Sequence, residues 1–170
     1  MPAQSYQPQS IGRRQLNIRK GEFTAIDVTA SADPAAPPLA GRVCHITAAG
    51  VMKLGLAAGK LPVFAFTGAD ENVSSRPEAG MMPGGKIKAF RHNAPVELGT
   101  TEFVGLTTEA EGTALTSANA GADAALDSGK LRVAAATEPV VAYLTKKSYK
   151  SSEGQTMIDF IPAYEKGVYA

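Results

Sequence analysis

Short runs in which apolar and polar residues alternate recur along this chain, and segments rich in glycine and proline separate them. Leu16–Arg19 alternates in this way, Ile26 and Val28 follow the same pattern, and Met157–Ile161 is a further clear strand candidate late in the chain. A period of two in β-branched and aromatic residues is typical of strands with one buried face. Three prolines between residues 32 and 40 interrupt any ladder there. The sequence therefore predicts a mainly β protein, a small β-barrel or β-sandwich with long loops.

The same signals predict further strands at residues 42–47, 61–67, 86–90, 95–98, 102–106, 131–135 and 140–145. Val63–Phe66 is apolar on both faces, which is typical of a strand that is buried on both sides. Residues 68–86 contain Gly, Pro, Asp, Asn and Ser throughout, and a loop this long is usually functional or ordered by a partner. In residues 107–129 the alanines favour a short helix, whereas the glycines at 112 and 121 favour turns.

The chain has 170 residues, which is enough for one domain with a core that needs neither disulfides nor metal. Residues 1–20 begin with a Gln-, Ser- and Pro-rich segment and are interpreted as an extended N-terminal arm, with residues 21–170 as a β-rich domain. Gly59–Thr67 echoes Gly129–Thr137, as in Gly-Lys-Leu followed by Val two residues later. Two similar β units, about 41–98 and 99–161, explain this echo, and so does a coincidence of common turn and strand chemistry.

Charge and hydropathy narrow the classes of partner. The formal net charge is +1 and the cationic residues are scattered, so we expect no nucleic-acid partner. The longest apolar runs, such as Val63–Phe66, are too short to span a membrane. The first ten residues lack the charged start and apolar stretch of a signal peptide. We therefore expect synthesis in the cytoplasm and no membrane partner.

The sequence predicts no catalytic, cofactor or metal site. Cys44 is the single cysteine, and its apolar neighbours indicate a buried thiol. His45 and His92 stand apart and lack further ligands at short spacing. Asp70-Glu71 is interpreted as part of a solvated loop, and Gly84–Lys86 lacks the βαβ setting of a phosphate-binding loop. We expect a protein that is not an enzyme and that acts by binding protein surfaces.

Residues 99–161 resemble the head decoration, or cement, proteins of tailed phages. The resemblance is carried by Gly105-Leu106, Gly112–Thr116, Gly129–Ala136, Pro139–Leu144 and Thr156–Ile161. It implies a small β-barrel or β-sandwich that clusters as dimers or trimers on the capsid exterior and bridges neighbouring capsomers. It also implies an extended arm that reaches onto the shell, as residues 1–20 would. The expected partners are then a major capsid protein and other copies of this chain, and the expected location is the virion.

Seven residues are predicted to contact the partner: Arg13, Arg14, Leu16, Ile18, Arg19, Tyr164 and Tyr169. Donor groups in the arm suit strand addition to a shell edge, and its arginines suit acidic partners. Tyrosines in a polar tail are typical interface anchors, although packing back onto the core explains them as well.

Two alternatives stay open at this point. One is another virion component, of the tail or a fibre. The other is a small β-barrel that binds a ligand or nucleic acid through Phe64, Phe66 and Phe90 with Lys86, Lys88 and Arg91. Core packing explains the alternation of Phe64 and Phe66 better than base stacking does.

Overall fold

The computed structural model describes residues 16–21, 24–31, 38, 40–60, 62–66, 86–91, 96–118, 127–152 and 154–163. All the secondary-structure elements in these residues are strands, which confirms the predicted mainly β class. They are β1 (Leu16–Lys20), β2 (Thr24–Ala30), β3 (Val43–Ile46), β4 (Val51–Leu54), β5 (Pro62–Phe66), β6 (Lys86–Arg91), β7 (Glu97–Thr100), β8 (Ala114–Ser117), β9 (Leu131–Val133), β10 (Ala142–Lys150) and β11 (Thr156–Pro162).

Strands β2 to β6 form a closed five-stranded barrel in the order β2-β4-β3-β5-β6. The neighbours β2 and β4 are parallel, with Thr29 opposite Val51, and the other pairs are antiparallel. The barrel core contains mostly small side chains, among them Cys44 and Ala65, and Met52 is its largest buried member. Small residues suit a five-stranded barrel because its interior is narrow. The buried thiol predicted for Cys44 is confirmed.

The remaining strands form a six-stranded sheet in the order β1-β7-β11-β10-β8-β9. Strands β7 to β11 come from one continuous part of the chain, whereas β1 precedes the barrel and joins this sheet from a distance in sequence. The sheet has larger core residues than the barrel, including Leu98, Leu115, Leu131, Leu144 and Phe160.

The barrel has a core cluster of its own, and the core cluster of the sheet extends onto two barrel strands. Val43 and Phe64 lie on barrel strands but belong to the sheet's cluster, and the Phe64 ring centroid is 5.0 Å from that of Phe160 on β11. Gly129 lies at the same junction with a φ of +81°, and a Cβ there would lie 2.8 Å from the Val43 carbonyl oxygen. Both the backbone conformation and the close approach require glycine.

Three sequence predictions of local structure need correction. β4 was not predicted, because its four residues read as part of a small-residue segment. β8 was not predicted either, since it lies inside the Gly- and Ala-rich stretch. Residues 102–106 were predicted as a strand, but they contribute only a parallel bridge from Phe103 to Leu131. The turn predicted at Gly112 is confirmed by its φ of +86°.

Some predictions lie outside the described residues or stay open. Gly121, His92 and nearly all of the 68–86 loop are not described. The two echoing segments contain β5 and β9, which lie in different sheets. The division into units 41–98 and 99–161 stays a prediction, and its boundary falls within β7.

Candidate partner-binding surface

Strand β1 forms one end of the six-stranded sheet, and its side chains differ sharply in exposure. Leu16 is opposite Thr100 and only 6% exposed, because it packs into the core cluster of the sheet. Ile18 is opposite the buried Leu98 and therefore lies on the core side of the sheet, yet it is 43% exposed. Directly opposite residues share a face, so Ile18 is the uncovered end of an apolar row.

Arg19 ties β1 to strands on the far side of β7. Its Nε donates to Asp159 Oδ1 at 3.1 Å, and its Nη2 donates to the Tyr149 hydroxyl at 2.6 Å. The Tyr149 hydroxyl in turn donates to Asp159 Oδ1 at 2.8 Å, and the Met157 sulfur lies 3.3 Å from Arg19 Nη2. These contacts form a closed triangle of Arg19, Tyr149 and Asp159, which we call the Arg19 cluster.

Gly99 makes the Arg19 cluster possible. It lies on β7, between the strands that carry Arg19 and Asp159. A Cβ at Gly99 would lie 2.7 Å from Arg19 Nε and 2.8 Å from Asp159 Oδ1. Because real Cβ atoms do not approach other atoms so closely, any larger residue would push the ion pair off the strand.

The environment of the Arg19 cluster changes the acidity of its phenol. Partial burial, and secondly the hydrogen bond to Asp159, raise the pKa of Tyr149 to about 12, although Arg19 acts in the opposite direction. Tyr149 therefore stays neutral and keeps donating to Asp159 throughout the ordinary pH range. Lys146 Nζ lies 4.0 Å from the centre of the tyrosine ring, a cation–π contact.

A second, more exposed pair lies beside the Arg19 cluster. Lys20 Nζ is 3.3 Å from Glu97 Oε2, although the lysine side chain is 83% exposed. The Thr145 hydroxyl donates to Glu97 Oε1 at 2.6 Å and, more than Lys20, lowers the pKa of that carboxyl. Both cations of β1 thus have carboxylate partners on the sheet itself.

The opposite end of the sheet, at β9, is covered by the chain that follows β7. Leu131 N–H donates to the Glu102 carbonyl, and its own carbonyl accepts from Val104 N–H. Arg132 Nη1 donates to the Val133 carbonyl at 3.0 Å and to Glu138 Oε2 at 2.7 Å. The outer backbone groups of β9 are therefore largely occupied within the chain. No comparable cover of the outer side of β1 is present in the described residues.

A buried ion pair holds this cover in place. Arg42 Nε donates to Glu102 Oε2 at 2.6 Å, and the two side chains are only 3% and 9% exposed. Arg42 Nη1 also donates to the Ser128 carbonyl at 2.9 Å, and the Thr100 hydroxyl donates to the Gly41 carbonyl. Charges so deeply buried require such partners, and these bonds join the start of β3 to the segment that covers β9.

The structure separates the seven predicted contact residues. Arg13, Arg14, Tyr164 and Tyr169 lie outside the described residues. Leu16 is a core residue and is unavailable to a partner while β1 remains paired. Arg19 is directed onto the sheet, and Ile18 alone among the described members presents an apolar side chain at the edge. Phe64, offered for base stacking in the alternative function, is a core residue, as its alternation indicated.

Sequence reasoning missed the partners of Arg19 and Arg42. Each partner is far along the chain, so no local spacing marks it. Gly99 was the available signal, because a glycine inside a strand often marks a close approach. In the described residues no group of three or more His, Cys, Asp or Glu side chains is placed to hold a metal ion.

The residues considered for chemistry have ordinary structural contacts. His45 Nδ1 lies 2.8 Å from the Gly55 carbonyl, so this nitrogen carries a proton. Within the described residues, no helix has the length and apolar character needed to cross a bilayer.

No family model matches the chain, and comparisons with curated proteins and with solved structures likewise give no match.

Proposed function

We propose that this chain is a structural decoration, or cement, protein that binds the outside of a viral shell and joins neighbouring capsomers. The observation that carries the proposal is the placement of Leu16 and Ala163. These described residues adjoin segments 1–15 and 164–170, which contain four of the seven predicted contact residues.

Leu16 and Ala163 lie at opposite ends of the β1-β7-β11 part of the sheet. Leu16 and Ile158 both have Thr100 as their register partner, so they are level with each other. β11 runs parallel to β1, and Ala163 follows five residues after Ile158, roughly 17 Å further along at the usual rise per residue. A protein that joins two neighbours needs two separate attachment points, and the separation of Leu16 from Ala163 supports that role.

The anchoring of β1 supports the same function. A partner that holds segment 1–15 pulls on Leu16, which is buried in the core cluster that extends from the sheet onto two barrel strands. The Arg19 cluster connects the same strand to β11 and β10. Contacts that segment 1–15 makes with a partner therefore hold the whole folded domain to that partner. A protein that binds the assembled lattice more tightly than separate subunits stabilises that lattice by linkage.

The structure also corrects the limits of the arm. Residues 16–20 were grouped with it, but they form β1 and include a core residue. A deletion that removed them would therefore damage the fold as well as the contact. The informative deletion ends at residue 15.

We predict that removal of residues 2–15 leaves the domain folded but weakens its attachment to particles. The far-UV circular dichroism spectrum and the melting temperature should stay close to those of the full chain. Occupancy on capsids, measured by sedimentation, should fall at least tenfold. The deletion removes the contacts of the segment with the shell, whose energy must exceed the cost of ordering the segment. Decorated particles should then melt at the temperature of undecorated ones.

The matched control replaces residues 2–15 by a Gly/Ser segment of equal length, which keeps chain length but removes Arg13 and Arg14. It should decorate as poorly as the deletion. Full occupancy and full particle stabilisation by both variants would move the contact away from the arm. No occupancy by the full chain on any shell would contradict the function itself.

A further inference from the structure

The outer side of β1 is the part of the sheet that the described chain leaves uncovered. The other terminal strand, β9, has its outer groups occupied by Glu102, Val104 and Arg132. At β1 the described residues provide no such cover, and Ile18 is 43% exposed. An uncovered edge with an apolar side chain is a template for another strand.

The charges on β1 do not protect this edge as strongly as its sequence indicates. Exposed lysine and arginine normally blunt edges, and β1 carries Arg19 and Lys20. Arg19 is turned onto the sheet towards Asp159, at 3.1 Å, and Lys20 towards Glu97, at 3.3 Å. Both cations are therefore paired within one copy, which reduces the repulsion that an approaching cationic strand would meet.

The order of residues in β1 suits pairing with itself. In an antiparallel pair centred on Ile18, that residue faces its own copy. Arg19 and Lys20 of one copy then lie opposite Asn17 and Leu16 of the second copy, across the register shift that β1 has between Ile18 and Lys20. No like charges are directly opposite, so the destabilising arrangement for cross-strand pairs is absent. The two Ile18 side chains extend the apolar row that Leu98 and Phe160 form within each sheet.

We infer that two copies of this chain pair through their β1 strands, antiparallel and centred on Ile18, to form one continuous sheet around a two-fold axis. Such an interface is isologous and closes on itself. The inference rests on the proposed function for its role: the two Leu16 residues, each next to a segment 1–15, would lie at opposite ends of the paired strands. One dimer then reaches two sites on the shell.

The interface is small. Two five-residue strands bury less than the about 1,200 Å² typical of stable complexes. The free protein should therefore be mostly monomeric when dilute, and pairing should increase with concentration and on the shell, where copies are held close together.

Cysteine cross-linking in the full chain tests the pairing directly. Opposite Cβ atoms in an antiparallel pair lie about 4.5–5.5 Å apart, which a disulfide can bridge with a small adjustment. Ile18→Cys should therefore give a covalent dimer on mild oxidation of concentrated protein. The native Cys44 is buried and should not interfere. Ile18→Lys should lower self-association at least tenfold in sedimentation equilibrium.

Two control variants fix the interpretation. Val133→Cys has nearly the same exposure, 42%, but lies on the covered edge, and it should not cross-link. Lys20→Cys is more exposed than Ile18, but the two copies of residue 20 would lie roughly 14 Å apart, so it should not cross-link either. Dimers from Lys20→Cys or Val133→Cys that equal those from Ile18→Cys would overturn the inference, as would the absence of any Ile18→Cys dimer.

The outcomes also separate this inference from the proposed function. Cross-linking of free protein without decoration of shells would support the pairing and remove the proposed role. Decoration by a chain that never cross-links at residue 18 would keep the role and overturn the pairing.

Discussion

The two terminal strands of the six-stranded sheet differ in how the described chain covers their outer backbone groups. β9 is short, and the chain that continues from β7 bonds to its outer groups at Glu102 and Val104. β1 is longer, and in the described residues its outer side has no such cover. Ile18 and Val133 are nevertheless almost equally exposed, at 43% and 42%. Side-chain exposure alone therefore does not distinguish an open edge from a closed one. The two edges differ instead in whether their outer backbone groups are hydrogen-bonded within the described chain.

The arginines show the same contrast. Arg42, at the closed end, is buried and fixes the covering segment to the barrel. Arg19, at the open end, lies on the outer face of the sheet and fixes the strand itself. One pair thus closes an edge, whereas the other keeps an edge strand in place without closing it.

The largest expected effect comes from breaking the closed end with Glu102→Ala. This change leaves the Arg42 guanidinium buried without its carboxylate, and an unpaired buried charge typically costs about 3–5 kcal/mol. The free energy of unfolding, measured by urea denaturation, should fall by that amount. Because Glu102 belongs to the cover of β9, the loss should also raise hydrogen exchange at the Leu131 amide.

The double variant Arg42→Met with Glu102→Leu is the control. Replacing both charges with apolar groups of similar size should recover most of the lost stability, because buried pairs contribute little beyond their own desolvation. If Glu102→Ala alone unfolded at the same urea concentration as the parent chain, the pair would not hold the cover.

The sequence predicted this fold in outline for a physical reason. Alternation marks one-faced strands wherever it extends over several residues, as in β1 and β2, and β11 was found by its apolar residues, which are buried on both faces. β4 and β8 have only four residues each, and Gly- or Ala-rich neighbours hide their period. Closure of β9 depends on hydrogen bonds between Leu131 and residues near Glu102, which no local pattern encodes. The arm stays a prediction for residues 1–15, and the burial of Leu16 became visible only in the folded chain.

An intermediate effect is expected from Gly99→Ala at the open end. The added Cβ would displace Arg19 and Asp159, and the loss of a partly exposed ion pair is worth about 1 kcal/mol. Alanine also restricts the unfolded chain, which offsets roughly 0.4–1 kcal/mol. Global stability should therefore fall by less than about 1 kcal/mol. Hydrogen exchange at the Asn17 amide, which is opposite Gly99 in the β1–β7 pair, should rise clearly, since β1 loses its attachment to β11.

A double-mutant cycle with Arg19→Ala identifies the cause. In the Arg19→Ala background, Gly99→Ala should cost less than in the parent chain, because there is no longer an ion pair to displace. Equal costs in both backgrounds would mean that the new methyl group acts through some other contact.

The smallest effect concerns the exposed pair that completes the cover of β9. The hydrogen bond from Arg132, and secondly the one from Ala135 N–H, lower the pKa of Glu138 to about 2 from its ordinary value of 4.5. A carboxyl whose folded pKa is depressed contributes stability above its unfolded pKa and loses it as the pH falls towards the folded value. The contribution of Glu138 is therefore complete above about pH 4.5 and disappears between there and pH 2.

An NMR titration of its side-chain carboxyl should show a midpoint near 2, and Arg132→Gln should move that midpoint up towards 4.5. A Glu138 midpoint near 4.5 in the parent chain would show that the Arg132–Glu138 pair does not form in solution. The short length of β9, rather than Arg132, would then protect the rest of its edge.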